Sequence, residues 1–391
     1  MNKQSKRVLI VATVVKTHIM QFHIPTLKLF KEMGWETAVA AKNDYDNPED
    51  CQIPYCDHFY DIPFIRNPFT PGNVSCYKQL KDIIDRGNYQ IIHCHTPVGG
   101  VLGRLAARKT RKQGTRVLYT AHGFHFYRGS ALKNWLLYYP AEKLCSYFAD
   151  DIITINREDY RLAQKKFSSA KIHHLPGVGI DTAAFSLSLL KQEERSAMRA
   201  ALGLKPGQRM ILSVGELIAR KNYKTAIDVI AKLKTEQLRY YICGQGVLQS
   251  ELQEYAKAKG VDDRVVFLGY RRDIPQLCAC ADVFMHTSHQ EGLSVAVMEA
   301  MSCAVPVIAS RIRGNVDLIE DGVNGFLADV QDAAGYAEGI AKLLDDPALA
   351  EEFRSNGLKK VKQYDVQIVT EQLKSIYCDT NSPLHTDPVQ V

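Results

Sequence analysis

Short apolar runs alternate along this chain with longer stretches in which apolar positions recur at helical spacing. The runs 7–13, 37–41, 90–94, 116–121 and 152–155 read as buried strands, with helices expected over 22–33, 98–112 and 132–148. A second series follows, with strands at 210–214, 239–243, 265–268, 283–286 and 305–309. Helices are expected there over 223–234, 248–259, 293–302, 333–344 and 349–363, and a last one over 366–377. Near-continuous apolar strands separated by amphipathic helices predict parallel sheets covered on both faces.

The punctuation between the two series is Leu175-Pro176-Gly177-Val178-Gly179-Ile180-Asp181, a cluster of turn-forming residues. The expected architecture is therefore α/β, with two Rossmann-like doubly wound domains in tandem. The first covers 1–178 and the second 179–365. The helix 366–378 is expected to cross back to the first domain, and the polar tail 379–391 to be disordered. Ligands of open parallel sheets bind at the carboxyl ends of the strands, so two such domains facing each other would make a deep cleft.

The length of 391 residues suits two domains. A composition 46% hydrophobic and 24% charged excludes a disordered or fibrous chain. No apolar run is long enough to span a bilayer. The basic N-terminus and the run 8–15 resemble a weak signal peptide, but Lys16 and His18 follow at once and no small-residue cleavage site appears. A first strand and a cytoplasmic location are the expectation. Ten scattered cysteines without CxxC pairs or zinc-finger spacing agree with a reducing compartment.

Charge is uneven. The net +6 divides into 25 basic and 16 acidic residues over 1–185, against 24 and 27 over 186–391. The densest basic cluster is Arg104, Arg108, Lys109, Arg111, Lys112 and Arg116. It reads either as a solvated helix face or as part of a basic half that meets an anionic partner. No aromatic-interleaved basic motif supports nucleic acid, and an anionic membrane surface fits better.

The strongest chemical signal is His289-Gln290-Glu291-Gly292-Leu293-Ser294-Val295-Ala296-Val297-Met298-Glu299, which follows a strand and opens a helix. A helix N-terminus presents free N–H groups and a positive dipole end, which suits a phosphate. Glu291 can accept hydrogen bonds from sugar hydroxyls. Glu299, two turns further along nearly the same face, can grip a ribose diol. Alone, the two glutamates read more simply as a helix cap and a surface charge; after a strand and at the opening of a helix, they read as sugar and ribose contacts.

This block, continued through Glu299-Ala300-Met301-Ser302-Cys303-Ala304-Val305-Pro306, resembles the signature of family 4 retaining glycosyltransferases with the GT-B fold. Val214-Gly215-Glu216-Leu217-Ile218-Ala219-Arg220-Lys221-Asn222 resembles that family's diphosphate-binding turn, and Cys243-Gly244-Gln245-Gly246 and Phe267-Leu268-Gly269-Tyr270 match as well. Thr120-Ala121-His122-Gly123-Phe124 looks most like bacterial capsular and exopolysaccharide enzymes.

The resemblance implies that Lys221 offsets the charge of the donor diphosphate, assisted by Arg220, beside Gly215 and Gly244. It implies Glu291 on the transferred sugar, Glu299 on the ribose, and backbone N–H groups of Gly292, Leu293 and Ser294 on the phosphates. His122 would lie near the donor sugar, with Tyr270 and Arg271 near a uracil pocket. Lys16, Thr17, His18 and His95 are the candidates on the acceptor side.

The expected reaction is retaining sugar transfer from a nucleotide donor, most simply UDP-linked, with no cofactor and no metal. The expected acceptor is a polyprenyl-diphosphate-linked saccharide, and the expected location is peripheral on the inner membrane face. A UDP-N-acetylglucosamine 2-epimerase of the same fold and a non-catalytic nucleotide-sugar-binding subunit are the alternatives.

Three departures from the family pattern stand out. Glu216 replaces a common arginine, Cys303-Ala304 replaces a glycine, and the first loop, 13–18, lacks paired glycines. Two metal-like patterns are read as decoys. Asp44-Tyr45-Asp46 is a literal DxD, the metal motif of the other major glycosyltransferase fold, in a polar loop. His93-Cys94-His95 has no third ligand in view along the sequence.

Overall fold

The computed structural model describes residues 5–67, 70–167 and 170–379. The expected disordered tail lies outside this range but for Asp379, as does Lys3 of the basic N-terminus.

The chain forms two compact units. One holds the residues up to Val178 together with those from Gln367, and the other is Gly179–Val366. The first unit carries a seven-stranded sheet of β1 (Arg7–Val14), β2 (Glu36–Lys42), β3 (His58–Asp61), β4 (Ile91–His95), β5 (Arg116–Ala121), β6 (Asp151–Thr154) and β7 (Lys171–His174). Its order is β3-β2-β1-β4-β5-β6-β7. The second carries β8 (Arg209–Val214), β9 (Leu238–Cys243), β10 (Val265–Gly269), β11 (Val283–His286), β12 (Val307–Ser310) and β13 (Phe326–Ala328), in the order β10-β9-β8-β11-β12-β13. Every neighbouring pair in both sheets is parallel.

The central strands were legible because both their faces are covered. All five residues of β4 and all four of β11 are buried. The edge strands β3, β7 and β13 were not expected from the pattern. All three are short, and in β3 and β7 His58, Asp61, Lys171 and His173 interrupt any apolar run. In each sheet the strand order reverses once, between β1 and β4 and between β8 and β11. Crevices for ligands form at such switch points.

The helix Val366–Cys378 closes the first unit. Leu373, Ile376 and Tyr377 pack in one core with Val8, Ile10, Leu27 and Phe30. Tyr377 Oη lies 2.6 Å from His93 Nδ1, and Arg116 donates to the Ile376 carbonyl at 2.7 Å.

The basic cluster is not one solvated face. Arg104 is fully buried, stacked 3.8 Å from the Tyr119 ring centroid and paired with Glu142 at 2.8 Å. Arg111 holds Asp150 and backbone carbonyls, and Arg116 holds Asp151 at 2.7 Å. Only Arg108, Lys109 and Lys112 of the six are exposed. The expected helix 98–112 breaks at Ala107 into Pro97–Ala106 and Arg108–Lys112.

The helix Leu132–Ser146 packs Trp135, Tyr138 and Tyr139 against the core. This helix turns Glu142, Cys145 and Ser146 inward, while Leu132, Leu136, Leu137 and Leu144 are exposed. Among the described residues, no helix is long and apolar enough to cross a membrane.

Candidate active site

In the second unit, the loops leaving β8 and β11 meet at the switch point. After β8 the chain makes a short 3₁₀ turn, Ala219–Lys221, and a left-handed residue, Asn222, before the helix Tyr223–Lys232. Asn222 donates to the carbonyls of Thr287 and Val330, which ties this turn to the β11 loop. The loops after β8 and β9 interlock as well. A Cβ on Gly244 would lie 1.9 Å from the Gly215 carbonyl oxygen, so only glycine fits there. The Gly244 requirement is therefore one of loop packing.

Lys221 Nζ and Arg220 each reach Glu291 Oε1, at 2.8 and 2.9 Å. Arg220 also donates to the Gln290 carbonyl. His286, the last residue of β11, stands 3.6 Å from the same carboxylate oxygen. Burial alone would push the Glu291 carboxyl up. The His286, Lys221 and Arg220 side chains outweigh it and hold the group well below the usual carboxylate range. The site therefore presents an ionised acceptor locked between two cations.

His286 is itself kept neutral, first by burial. Its Nε2 lies 3.2 Å from both Ser288 Oγ and Ser294 Oγ, and Asn315 Nδ2 lies 3.3 Å from its Nδ1. His286 and Asn315 were missed along the sequence. A histidine ending a buried strand looks like core, and Asn315 is far away in the chain.

Ser294 is the N-cap of the helix Val295–Ser302, accepting from the Val297 amide at 3.4 Å. The turn Gly292-Leu293-Ser294 thus opens a helix whose N-terminal end carries the positive pole of its dipole. Glu299 lies on the same helix, half-buried. Its carboxyl makes no side-chain hydrogen bond or ion pair among the described residues, and burial raises it to about 7. Tyr270, just past β10, is 68% exposed, and Arg271 is paired with Asp273 through its Nε at 2.7 Å. Glu216 is exposed.

The first unit gathers different residues at its own switch point. The chain leaves β1 through a π-helical turn, Val15–Ile19, a form that recurs at functional sites. His18 lies on this turn, His23 between two helices, His95 at the end of β4 and His122 directly after β5. Their ligand nitrogens all lie within 4.8 Å of one another.

Thr96, next to His95, has φ 63° and ψ 158°. That conformation costs a β-branched residue roughly 1–3 kcal/mol. Its hydroxyl bonds to the Thr13 hydroxyl at 2.6 Å, joining the ends of β1 and β4. His93 lies in ring contact with His95, centroids 4.0 Å apart, but its two nitrogens are taken by Tyr377 and Thr120. His95, expected to lack further ligands, has three imidazoles brought to it from other strands and loops. Asp44 and Asp46 of the DxD pattern hold the Lys16 amide, at 2.6 Å, and the Lys16 ammonium, at 3.4 Å. They fix the loop that carries Lys16 and Thr17.

With this geometry in hand, the chain can be compared with known proteins. Residues 194–360 match the family model for glycosyl transferases group 1, and residues 7–156 match that for glycosyl transferase 4-like proteins. EpsD of Bacillus subtilis (strain 168), named as a glycosyltransferase, is 40% identical over 377 residues, covering 95% of this chain and 96% of EpsD. This chain is a family 4 glycosyltransferase with the GT-B fold.

The UDP-Gal:alpha-D-GlcNAc-diphosphoundecaprenol alpha-1,3-galactosyltransferase of Escherichia coli is 28% identical, covering 83% of this chain and 86% of that enzyme. Among solved structures, HepE of Anabaena in complex with UDP and glucose superposes with a TM-score of 0.80 at 22% identity, covering 95% of this chain and 99% of HepE. The fold of this glycosyltransferase is thus that of HepE.

Proposed function

We propose that this glycosyltransferase moves a sugar, with retention, from a UDP-linked donor to a polyprenyl-diphosphate-linked saccharide in capsular or exopolysaccharide synthesis. The observation that carries the reading is the Lys221–Glu291 pair at the mouth of the helix Val295–Ser302. The named activity of the Escherichia coli relative, which includes a UDP-sugar donor and a diphosphoundecaprenol-linked acceptor, supports the chemistry. HepE, solved with UDP, supports the nucleotide.

In this reading the donor diphosphate lies against the Lys221 and Arg220 cations and the first-turn amides around Ser294. These charges are fixed before the reaction, so they stabilise the leaving diphosphate without reorganisation. They supply that stabilisation without calling on a metal at the diphosphate. Glu291 accepts from hydroxyls of the transferred sugar, and the half-buried Glu299 takes the ribose diol. His122 acts on the transferred sugar, as the family resemblance implies, and Tyr270 and Arg271 border the base.

Glu291 is held by two cations and serves as a hydrogen-bond acceptor, so a glycosyl-enzyme route through it is disfavoured. The acceptor hydroxyl instead attacks the anomeric carbon on the face from which the diphosphate departs. The bond from that carbon to the phosphate oxygen breaks, the bond to the acceptor oxygen forms, and the acceptor proton passes to the departing diphosphate.

The exposed leucines of the helix Leu132–Ser146, which also carries Lys133 and Lys143, fit the interfacial region of an anionic bilayer, with Arg108 and Lys112 exposed on the same unit. Peripheral attachment at the inner membrane face would bring the enzyme to a lipid-linked acceptor.

The test is a thermal-shift screen against nucleotides and nucleotide sugars, followed by transfer to a synthetic polyprenyl-diphosphate saccharide. Ligands that bind only the folded chain raise its melting temperature. A shift with UDP, a larger one with a single UDP-sugar, and an α-linked product from an α-linked donor are expected. No shift with any uridine ligand would overturn the donor assignment.

A further inference from the structure

We propose that His18, His23, His95 and His122 of the first unit form a binding site for a divalent transition-metal ion of borderline softness, zinc above all. The inference shares His122 with the proposed function and His18 and His95 with the expected acceptor side, and its test reads bound metal separately from sugar transfer.

Four imidazoles converge, and each pair is in ring contact. The closest centroids are His23 and His95, at 3.9 Å, and the farthest are His18 and His95, at 6.2 Å. His95 Nδ1 lies 3.3 Å from His122 Nε2. Beyond this bond the cluster is poorly satisfied. Among the described residues, His18 Nε2, His23 Nε2 and His95 Nε2 are all buried without a hydrogen-bond partner. His23 and His95 are each only 3% exposed.

Three orphaned ring nitrogens in one place are unusual, since buried polar atoms are nearly always paired and each unpaired one costs roughly 1–3 kcal/mol. A cavity lined by Phe22, His23, His95, Thr120 and His122 adjoins them.

The protonation state suits a cation. Burial and then mutual repulsion hold His18, His23 and His95 well below the ordinary imidazole value, and burial pushes His122 down to about 4. The rings are neutral, so each has a lone pair to give. The charges that act on them are those of other imidazoles and, for His18, of Arg66. An all-imidazole set favours zinc, nickel or copper over magnesium or calcium, which take oxygen ligands. Zinc–nitrogen bonds of about 2.0–2.1 Å would bring tetrahedral ligands to roughly 3.3 Å apart. The present separations, up to 4.8 Å, close to that by small ring movements.

The experiment uses the full-length, untagged chain, stripped with a chelator and re-equilibrated with Zn²⁺ or Co²⁺. About one metal per chain by elemental analysis is expected, with tetrahedral Co²⁺ d–d absorption and no thiolate-to-cobalt charge transfer. The spectrum separates this site from adventitious binding at Cys51, Cys56 or the exposed Cys378.

The double variant His18→Gln/His23→Gln should lose the metal and the absorption while keeping its UDP-induced melting shift. If that variant does not fold, the single variant His18→Gln should weaken metal affinity at least tenfold. Substoichiometric uptake by the unaltered chain, or an unchanged Co²⁺ spectrum in the folded variant, would overturn the proposal. The UDP shift reports separately on the donor reading.

Discussion

Lys221 Nζ stands 2.8 Å from Glu291 Oε1, joining a turn after β8 to a loop after β11 across 70 residues of chain. The pair sets the charge of the site before any donor arrives. Replacing Lys221 with Ala should lower kcat by about 10²–10³-fold, the usual effect of removing one fixed group that stabilises developing charge. Arg220 would still hold Glu291, so the fold should survive, and a circular dichroism spectrum checks that. An unchanged kcat would remove Lys221 from the reaction.

Glu299 makes the site pH-dependent. Its carboxyl titrates at about 7 in the folded chain, raised from an ordinary 4.5. A raised carboxyl favours the protonated form in the folded state, so stability is lost as pH climbs from about 4.5 through 7. Glu299→Gln should therefore stabilise the ligand-free chain at pH 8 and leave it unchanged at pH 4.5. The shift is worth at most ~3 kcal/mol and, discounted for partial exposure, about 1–2 kcal/mol. A carboxylate also binds a ribose diol better when ionised. UDP affinity by calorimetry should therefore rise between pH 6 and 8 in the unaltered chain and stay flat in the variant.

Ala304 follows the helix Val295–Ser302 with φ 56°, in the left-handed region. The family's usual glycine stands at Cys303-Ala304, and the structure shows why that residue type is favoured. The left-handed conformation costs an L-residue roughly 1–2 kcal/mol, partly offset by the entropy glycine loses on folding. Ala304→Gly should stabilise the chain by about 0.5–1 kcal/mol in urea unfolding. A lower midpoint would mean that the buried methyl group contributes more than the backbone relief.

Arg104 has no exposure, and Glu142 is its ionic partner at 2.8 Å. Glu142→Ala strands a buried guanidinium and should cost about 3–5 kcal/mol, with more than half of that recovered by adding Arg104→Met. Chemical denaturation of both variants checks this.

Leu132 and Leu136 are 72% and 70% exposed on a helix that turns its glutamate inward. Changing both to Gln should reduce sedimentation with anionic liposomes at low salt at least tenfold, without altering the UDP-induced melting shift. Equal binding by the variant would place the membrane contact elsewhere.

The central strands and the glycosyltransferase motifs were legible because each is local. β4 and β11 are continuous apolar runs, and Lys221 and Glu291 sit in turns with recognisable spacing. What escaped the sequence depends on contacts between distant residues. β3 and β7 exist because neighbouring strands offer them ladders, in spite of their histidines and charges. Arg104 looked solvated because its partner lies 38 residues away. His286 and the meeting of His18, His23, His95 and His122 are set by where four strands end, β11 for the first and β1, β4 and β5 for the cluster, which no local spacing encodes.

The helix Val366–Cys378 has a consequence for the order of synthesis. The first unit leaves the ribosome as residues up to 178, lacking the segment that supplies Leu373, Ile376 and Tyr377 to its core. Until the last residues emerge, Val8, Ile10 and Phe30 have no cover on that side, and His93 lacks its Tyr377 bond. The second unit, contiguous in sequence, can be completed earlier. The half made first is thus the half finished last, and a chain cut short at 366 would carry a complete second unit and an unfinished first one.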